Sequence, residues 1–134
     1  MDFKQLMDEA ETAAEKSYSP YSHFRVGAAL LCADGEIIRG TNVENRSYGM
    51  TICAERSAFA AAISRGHRNF EALAVCCPDA DYPVSPCGAC RQVISEFTRP
   101  DFPVLFRGKK GETIQTTIGE LFPYDALYEL KDQG

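Results

Sequence analysis

No stretch of this chain approaches the roughly 18 consecutive apolar residues that a membrane span requires. Basic charge is also short: 14 Lys and Arg face 19 Asp and Glu, for a net charge of -5. An acidic protein lacks the phosphate-neutralising surface behind non-specific nucleic-acid binding. The densest basic patch, R-G-K-K at 107 to 110, reads as a solvated hairpin turn. Neither a membrane nor a nucleic acid is therefore an expected partner, and a small substrate fits better than a polymer. A secretion leader is missing too, because M-D-F-K-Q-L-M-D-E-A-E is too acidic and too polar. That points to the cytoplasm, where the six cysteines stay reduced rather than forming a disulfide framework. Low-complexity runs, internal repeats and linkers are absent, so residues 1–134 read as one domain, long enough to bury a core. Histidine is scarce: His23 and His67 are placed in surface loops and given no function.

The residues present form a clear alternation. Phe3, Leu6, Met7, Ala10 and Ala14 recur at helical spacing, so residues 2–16 predict an amphipathic helix. Residues 24–33 and 36–44 read as two strands around an Asp34-Gly35 turn. A helix is expected from Thr51 to Arg65, stopped by Gly66. The apolar run 71–78 suits a buried strand. A third helix runs from Cys87 to just before Pro100, followed by strands at 103–107 and 113–117 and a short helix at 118–121. The order α-β-β-α-β-α-β-β-α argues for an α/β fold with a mixed sheet covered by helices.

Cys32, Cys76 and Cys77 sit in apolar strand-like runs and read as small buried hydrophobes. Cys87 and Cys90 form P-C-G-A-C, which by itself fits a redox pair, half of a zinc ribbon, or coincidence. A ribbon needs a second CxxC, and none is present. The redox reading leaves Cys53 and Glu55 idle. With Cys53 as a third thiolate, the set becomes three sulfur ligands and one place for water, the pattern of a catalytic zinc. Cys53 and Cys87 would each open a helix, where the dipole favours thiolate. Three thiolates on Zn²⁺ leave a net charge of about -1 by ligand counting. Arg56 and Arg91 could each offset that charge by donating to sulfur, or could be helix-surface residues.

Glu55 lies two residues beyond Cys53, close to the metal without being one of its ligands. There a carboxylate can take a proton from water and hand it to substrate. Zinc deaminases carry an H-x-E…P-C-x-x-C pattern with a Cys₃ variant. Here Cys53-Ala54-Glu55 replaces the first half, and the second half is intact.

The chain resembles the cytidine deaminase family of the short, homotetrameric type over nearly its whole length. The resemblance rests on Y-S-H-F-R-V-G-A-A-L at 21–30, N-V-E-N-R-S-Y at 42–48, C-A-E-R at 53–56, P-C-G-A-C-R-Q-V at 86–93 and G-E-L-F-P at 119–123. It implies a three-layer α/β/α sandwich around a five-stranded mixed sheet. It implies one Zn²⁺ per subunit on Cys53, Cys87 and Cys90, with Glu55 as proton shuttle. Asn42 and Glu44 match residues that bind the ribose hydroxyls, and spacing two apart on a strand would put both on one face. Phe24 matches an aromatic against the pyrimidine, and the Ala54 backbone and Ser85 carbonyl would meet the base edge. Arg56 matches an arginine paired with the ligand thiolates. Tyr48 would line the pocket or an interface. The implied reaction converts cytidine or deoxycytidine to uridine or deoxyuridine with loss of ammonia.

One departure is visible. The family's G-E-L-L-P stretch often has a phenylalanine three residues after the proline, reaching into a neighbouring subunit's site; this chain has Ala126 there. Tyr124 or Leu127 would substitute, or the pocket is roomier. Roomier walls would suit an aminopyrimidine antibiotic nucleoside such as blasticidin S, although a ribose reader at Asn42 and Glu44 favours a plain nucleoside. A structural zinc staple would need a fourth ligand from Cys32, Cys76, Cys77, His23 or His67. A nucleic-acid editor is disfavoured by the acidic charge.

Overall fold

The computed structural model describes residues 2–133; the first and last residues of the expected domain lie outside them. The helix α1, Phe3–Ala14, opens at Asp2, whose carboxylate accepts from the Lys4 N–H at 2.9 Å. Strands β1, Gly27–Cys32, and β2, Ile37–Thr41, form the expected hairpin; Gly35 takes φ 95° in its turn. After α2, Ala54–Ser64, the chain turns at Gly66, φ 95°, into β3, Phe70–Cys76. Helix α3, Gly88–Phe97, carries the chain across to β4, Pro103–Arg107. Strand β5, Ile114–Thr117, and the single turn α4, Ile118–Leu121, follow. Two 3₁₀ turns, Tyr48–Met50 and Tyr128–Gln133, were not anticipated from periodicity, being too short to show any.

The sheet order is β2-β1-β3-β4-β5. Only β3 and β4 are parallel, joined by the α3 crossover; the other neighbours are antiparallel. The pleat sorts the core. Ala28, Leu30, Cys32, Leu73, Val75 and Val104 face α2 and α3. Ala29, Leu31, Ala72, Ala74, Cys76 and Leu105 face Leu6, Met7 and Ala10 of α1. This is the expected three-layer sandwich, and β1 is buried along its whole length because helices cover both its faces. No helix among the described residues is long and apolar enough to cross a membrane.

Close seating of α2 depends on Gly40. A Cβ there would lie 2.4 Å from the Ala54 carbonyl oxygen and 2.5 Å from the Ala58 nitrogen. Without a side chain, β2 meets the backbone of α2 directly, which fixes the helix end bearing Cys53 and Glu55.

Three expectations are corrected. The strands expected at 24–33 and 36–44 are shorter, because residues 24–26 and 42–44 leave the sheet to wall a cavity; Val43 keeps only isolated bridges to Tyr18 and Ile52. Arg107 is not in a solvated turn: it ends β4, pairs with Glu11 at 3.0 Å and donates to Cys76 Sγ at 3.5 Å. His67 is largely covered, with Nε2 2.9 Å from Glu36 and Nδ1 3.8 Å from Asp34.

Candidate active site

Cys53 and Cys87 are the residues immediately before α2 and α3, and neither helix start is capped by a side chain. Both helix dipoles therefore aim uncompensated N–H groups at the sulfurs. Cys90 lies one turn into α3 and is fully buried. The Sγ atoms of Cys53, Cys87 and Cys90 all lie within 4.8 Å of one another, and no other cysteine or histidine among the described residues joins them. Cys53 Sγ and Cys87 Sγ are 3.8 Å apart. Sulfurs about 2.3 Å from a tetrahedral zinc stand about 3.8 Å from each other by simple geometry. The donor set thus fits zinc with three protein ligands, and the candidates for a structural fourth lie elsewhere.

Arg56 donates to Cys53 Sγ at 3.6 Å and to the Thr51 carbonyl at 3.3 Å, as expected of a residue that balances thiolate charge. Hydrogen bonds from Cys90 and Arg56 hold the Cys53 thiol well below its ordinary range despite burial. The same contact with Cys53, together with burial, keeps the Cys90 thiol protonated when no metal competes for it. Arg91 does not reach sulfur, which corrects the second arginine expectation. Its guanidinium donates to the Pro86 carbonyl at 2.8 Å, the Leu121 carbonyl at 2.9 Å and Ser85 Oγ at 2.9 Å. It buttresses the loop entering α3, tying that loop to α4.

Glu55 is 5% exposed. Burial pushes its carboxyl up to about 7, partly opposed by its own backbone N–H and reinforced by Cys53. A carboxyl in that range exchanges a proton readily near neutral pH.

These groups border a cavity of about 190 Å³ that also meets Phe24, Asn42, Ala54 and Ser85. Val26, Val75, Cys77 and Val84 complete apolar walls that sequence reading did not single out. Their signal was weak: each sits at a strand end or in a loop, where nothing periodic marks it. Cys77 is buried as expected, but it is also cavity floor. An outer chamber of about 440 Å³, bordered by Tyr21, Ser22, Glu44 and Tyr48, meets the inner one at Thr51.

Asn42 and Glu44 lie just beyond the end of β2. Asn42 borders the inner cavity and Glu44 the outer chamber. The Asn42 side chain donates to the Phe24 carbonyl at 2.8 Å and accepts from the Val26 N–H at 2.9 Å and from Ser17 Oγ. Glu44 accepts from the Tyr21 and Ser22 N–H groups at 3.0 and 3.1 Å and from Ser22 Oγ. Those bonds, the Ser22 hydroxyl first, hold its carboxyl below the usual range. Ser22 Oγ in turn accepts from the Phe24 N–H at 3.0 Å. Phe24 is thus set by both polar residues before any ligand arrives. Tyr48 stands 76% exposed at the rim of the outer chamber.

An α/β/α sandwich with three sulfurs at two helix starts and a buried carboxylate next to one of them fits a zinc hydrolase better than a protein stapled by zinc. Comparison with known proteins gives the family. Residues 2–105 match the family model of the cytidine and deoxycytidylate deaminase zinc-binding region. The cytidine deaminase of Sporosarcina psychrophila is 53% identical over 123 residues, covering 92% of this chain and 90% of that protein. The crystal structure of the cytidine deaminase from Burkholderia pseudomallei superposes with a TM-score of 0.90 at 43% identity, covering 93% of this chain and 99% of that one. A blasticidin-S deaminase from Bacillus cereus is 37% identical over 129 residues, covering 90% of this chain and 91% of that protein. The chain belongs to the cytidine and deoxycytidylate deaminase family.

Proposed function

We propose that this protein deaminates cytidine and deoxycytidine hydrolytically, giving uridine and deoxyuridine and releasing ammonia. The observation that carries the reading is the placement of buried Glu55 beside a sulfur trio spaced for zinc. Cys53, Cys87 and Cys90 would hold one Zn²⁺ in each subunit, with Arg56 balancing their charge. When bound, zinc supplies a Lewis acid that lowers the pKa of water toward about 7. Glu55 would accept the proton that water gives up and deliver it to ring N3 as C4 is attacked; it would then take the remaining proton from the new C4 hydroxyl and pass it to the amine, so that the C–N bond breaks, ammonia leaves and the C4 carbonyl forms. Phe24 packs against the pyrimidine, while the Ala54 backbone and the Ser85 carbonyl read the base edge. Asn42 and Glu44 bind the ribose hydroxyls, with Glu44 acting from the outer chamber. The apolar walls keep bulk water from the reacting atoms.

The reading treats residues 1–134 as one catalytic domain working in a homotetramer. A second copy is supported by apolar side chains left in water near the chamber and on the last segment: Tyr48, Met50, Ile52, Tyr124 and Leu127. Ala126 is exposed, as are Tyr124 and Leu127, so any of the three can meet a neighbouring subunit. A cytoplasmic location suits a site that needs three reduced thiols. Similarity to a blasticidin-S deaminase and the small residue at position 126 support a second substrate reading; the ordered Glu44 supports the plain nucleoside. Spectrophotometric assay of cytidine, with and without a chelator and paired with metal analysis, tests the proposal. Zinc-free protein that still releases ammonia at full rate overturns it, and a higher kcat/KM for blasticidin S than for cytidine would replace the substrate.

A further inference from the structure

Two walls of the inner cavity come from segments far apart in sequence. Phe24 and Val26 approach on the entry to β1; Val84 and Ser85 come from the loop between β3 and α3, which ends at Cys87. The Val26 carbonyl accepts from the Asn42 N–H at 3.3 Å, and Arg91 holds the Ser85 loop. One contact ties them together outside the cavity. Asp79 Oδ2 accepts from the Arg25 backbone N–H at 2.8 Å and from Arg25 Nε at 3.1 Å, while Oδ1 accepts from Arg25 Nη2 at 2.7 Å. A two-pronged guanidinium-carboxylate contact is directional as well as strong. The third bond matters most, because it lets Asp79 grip the main chain between Phe24 and Val26 as well as a mobile side chain. Neither Arg25 nor Asp79 borders the cavity.

We propose that Arg25 and Asp79 form a positioning clamp that sets the width of the nucleoside cavity, resting on the reading of the site as a nucleoside deaminase. The clamp fixes the main chain between Phe24 and Val26 to the start of the β3–α3 loop, two residues beyond the cavity-lining Cys77, so the Phe24 wall keeps its distance from the opposite side of the cavity. It lies away from the groups that move protons, so it favours bound substrate and transition state alike. Its loss therefore appears in KM and leaves kcat.

The test compares zinc-loaded wild type with Asp79→Ala, Arg25→Gln and the control Arg39→Gln. Arg39 makes a similar surface ion pair with Glu9, between β2 and α1, remote from the cavity. Cytidine turnover and calorimetric binding of uridine are measured at low and high salt. Asp79→Ala is expected to raise KM for cytidine and Kd for uridine about three- to tenfold, with kcat within about twofold and zinc content unchanged. Arg25→Gln should shift both less, since the backbone N–H still reaches Asp79. Arg39→Gln should shift neither. Cytidine is uncharged, so salt should act on its KM mainly through screening of the exposed Arg25–Asp79 pair, and the rise in KM with salt should be smaller in Asp79→Ala than in the wild type. Unchanged KM and Kd in Asp79→Ala, an equal rise in Arg39→Gln, or a loss confined to kcat overturns the clamp. A wild type that binds uridine but leaves cytidine intact overturns the deaminase reading instead.

Discussion

Cys53 Sγ and Cys87 Sγ meet at 3.8 Å although 34 positions separate the two residues. Each is the last residue before a helix, and α2 and α3 pack on the same face of the sheet. The pair is a consequence of seating two helix starts side by side, and Cys90 joins because it lies one turn into the second helix.

Replacing Glu55 with glutamine should separate metal binding from chemistry. The amide keeps the volume but cannot carry the proton. We expect zinc content equal to wild type and kcat lower by about 10²- to 10⁴-fold, the usual weight of a positioned acid-base group. Near-normal kcat with full zinc occupancy would remove Glu55 from its role.

Substituting any one of Cys53, Cys87 or Cys90 by alanine should lower zinc content and turnover together, since a site reduced to two sulfurs no longer closes around the ion. Cys32→Ala and Cys76→Ala should keep zinc, their sulfurs lying outside the trio. Metal analysis of the purified variants decides between a three-cysteine site and one that recruits a fourth.

Gly40→Ala should be costly out of proportion to one methyl group. The new Cβ would stand 2.4 Å from a backbone oxygen of α2, and backbone cannot swing aside like a side chain. Overpacking of this kind costs about 1–3 kcal/mol or more. A lower melting temperature with reduced zinc retention is expected, because the displaced helix end carries Cys53. Unchanged thermal stability and zinc content would show that α2 can shift freely.

Glu55 also gives the metal-free protein a pH-dependent weakness. Its carboxyl is raised to about 7 in the fold by burial. An unfolded glutamate titrates near 4.3. Between those values the folded chain holds the extra proton, so folding stability falls as pH rises through this window and the cost is complete above it. At roughly 1.4 kcal/mol per pKa unit the cost is about 4 kcal/mol. Chelated Glu55→Gln should therefore be more stable than chelated wild type at pH 8, and the gap should shrink toward pH 4. Denaturant melts at the two pH values measure it; a gap that is equal at both refutes the assignment of cause.

Much of the fold was legible because period and turn chemistry agree along the chain. Strand β1 shows why some of it was not: Gly27–Cys32 is apolar at every position, which identifies a strand covered on both faces but not its ends. The expected boundaries overran into residues 24–26, whose N–H groups bond the side chains of Ser22, Asp79 and Asn42, and into 42–44, whose backbone bonds chiefly Tyr18 and Ile52 outside the named strands. Arg91 shows a second limit. Adjacent to Cys90, it could face the sulfurs or the loop; helix rotation turned it to Ser85, Pro86 and Leu121.

The sequence alone determined the chemistry available here: three thiols and a carboxylate at helix starts, a net negative charge, and an alternation that demands a covered sheet. These follow from local rules, namely side-chain type, period and capping. Tertiary structure decided which of those groups meet and what holds them. The sulfur spacing, the burial that raises Glu55 and the network that fixes Phe24 all depend on contacts between segments far apart in the chain. Burial and long-range hydrogen bonds are properties of packing, and no local pattern encodes them.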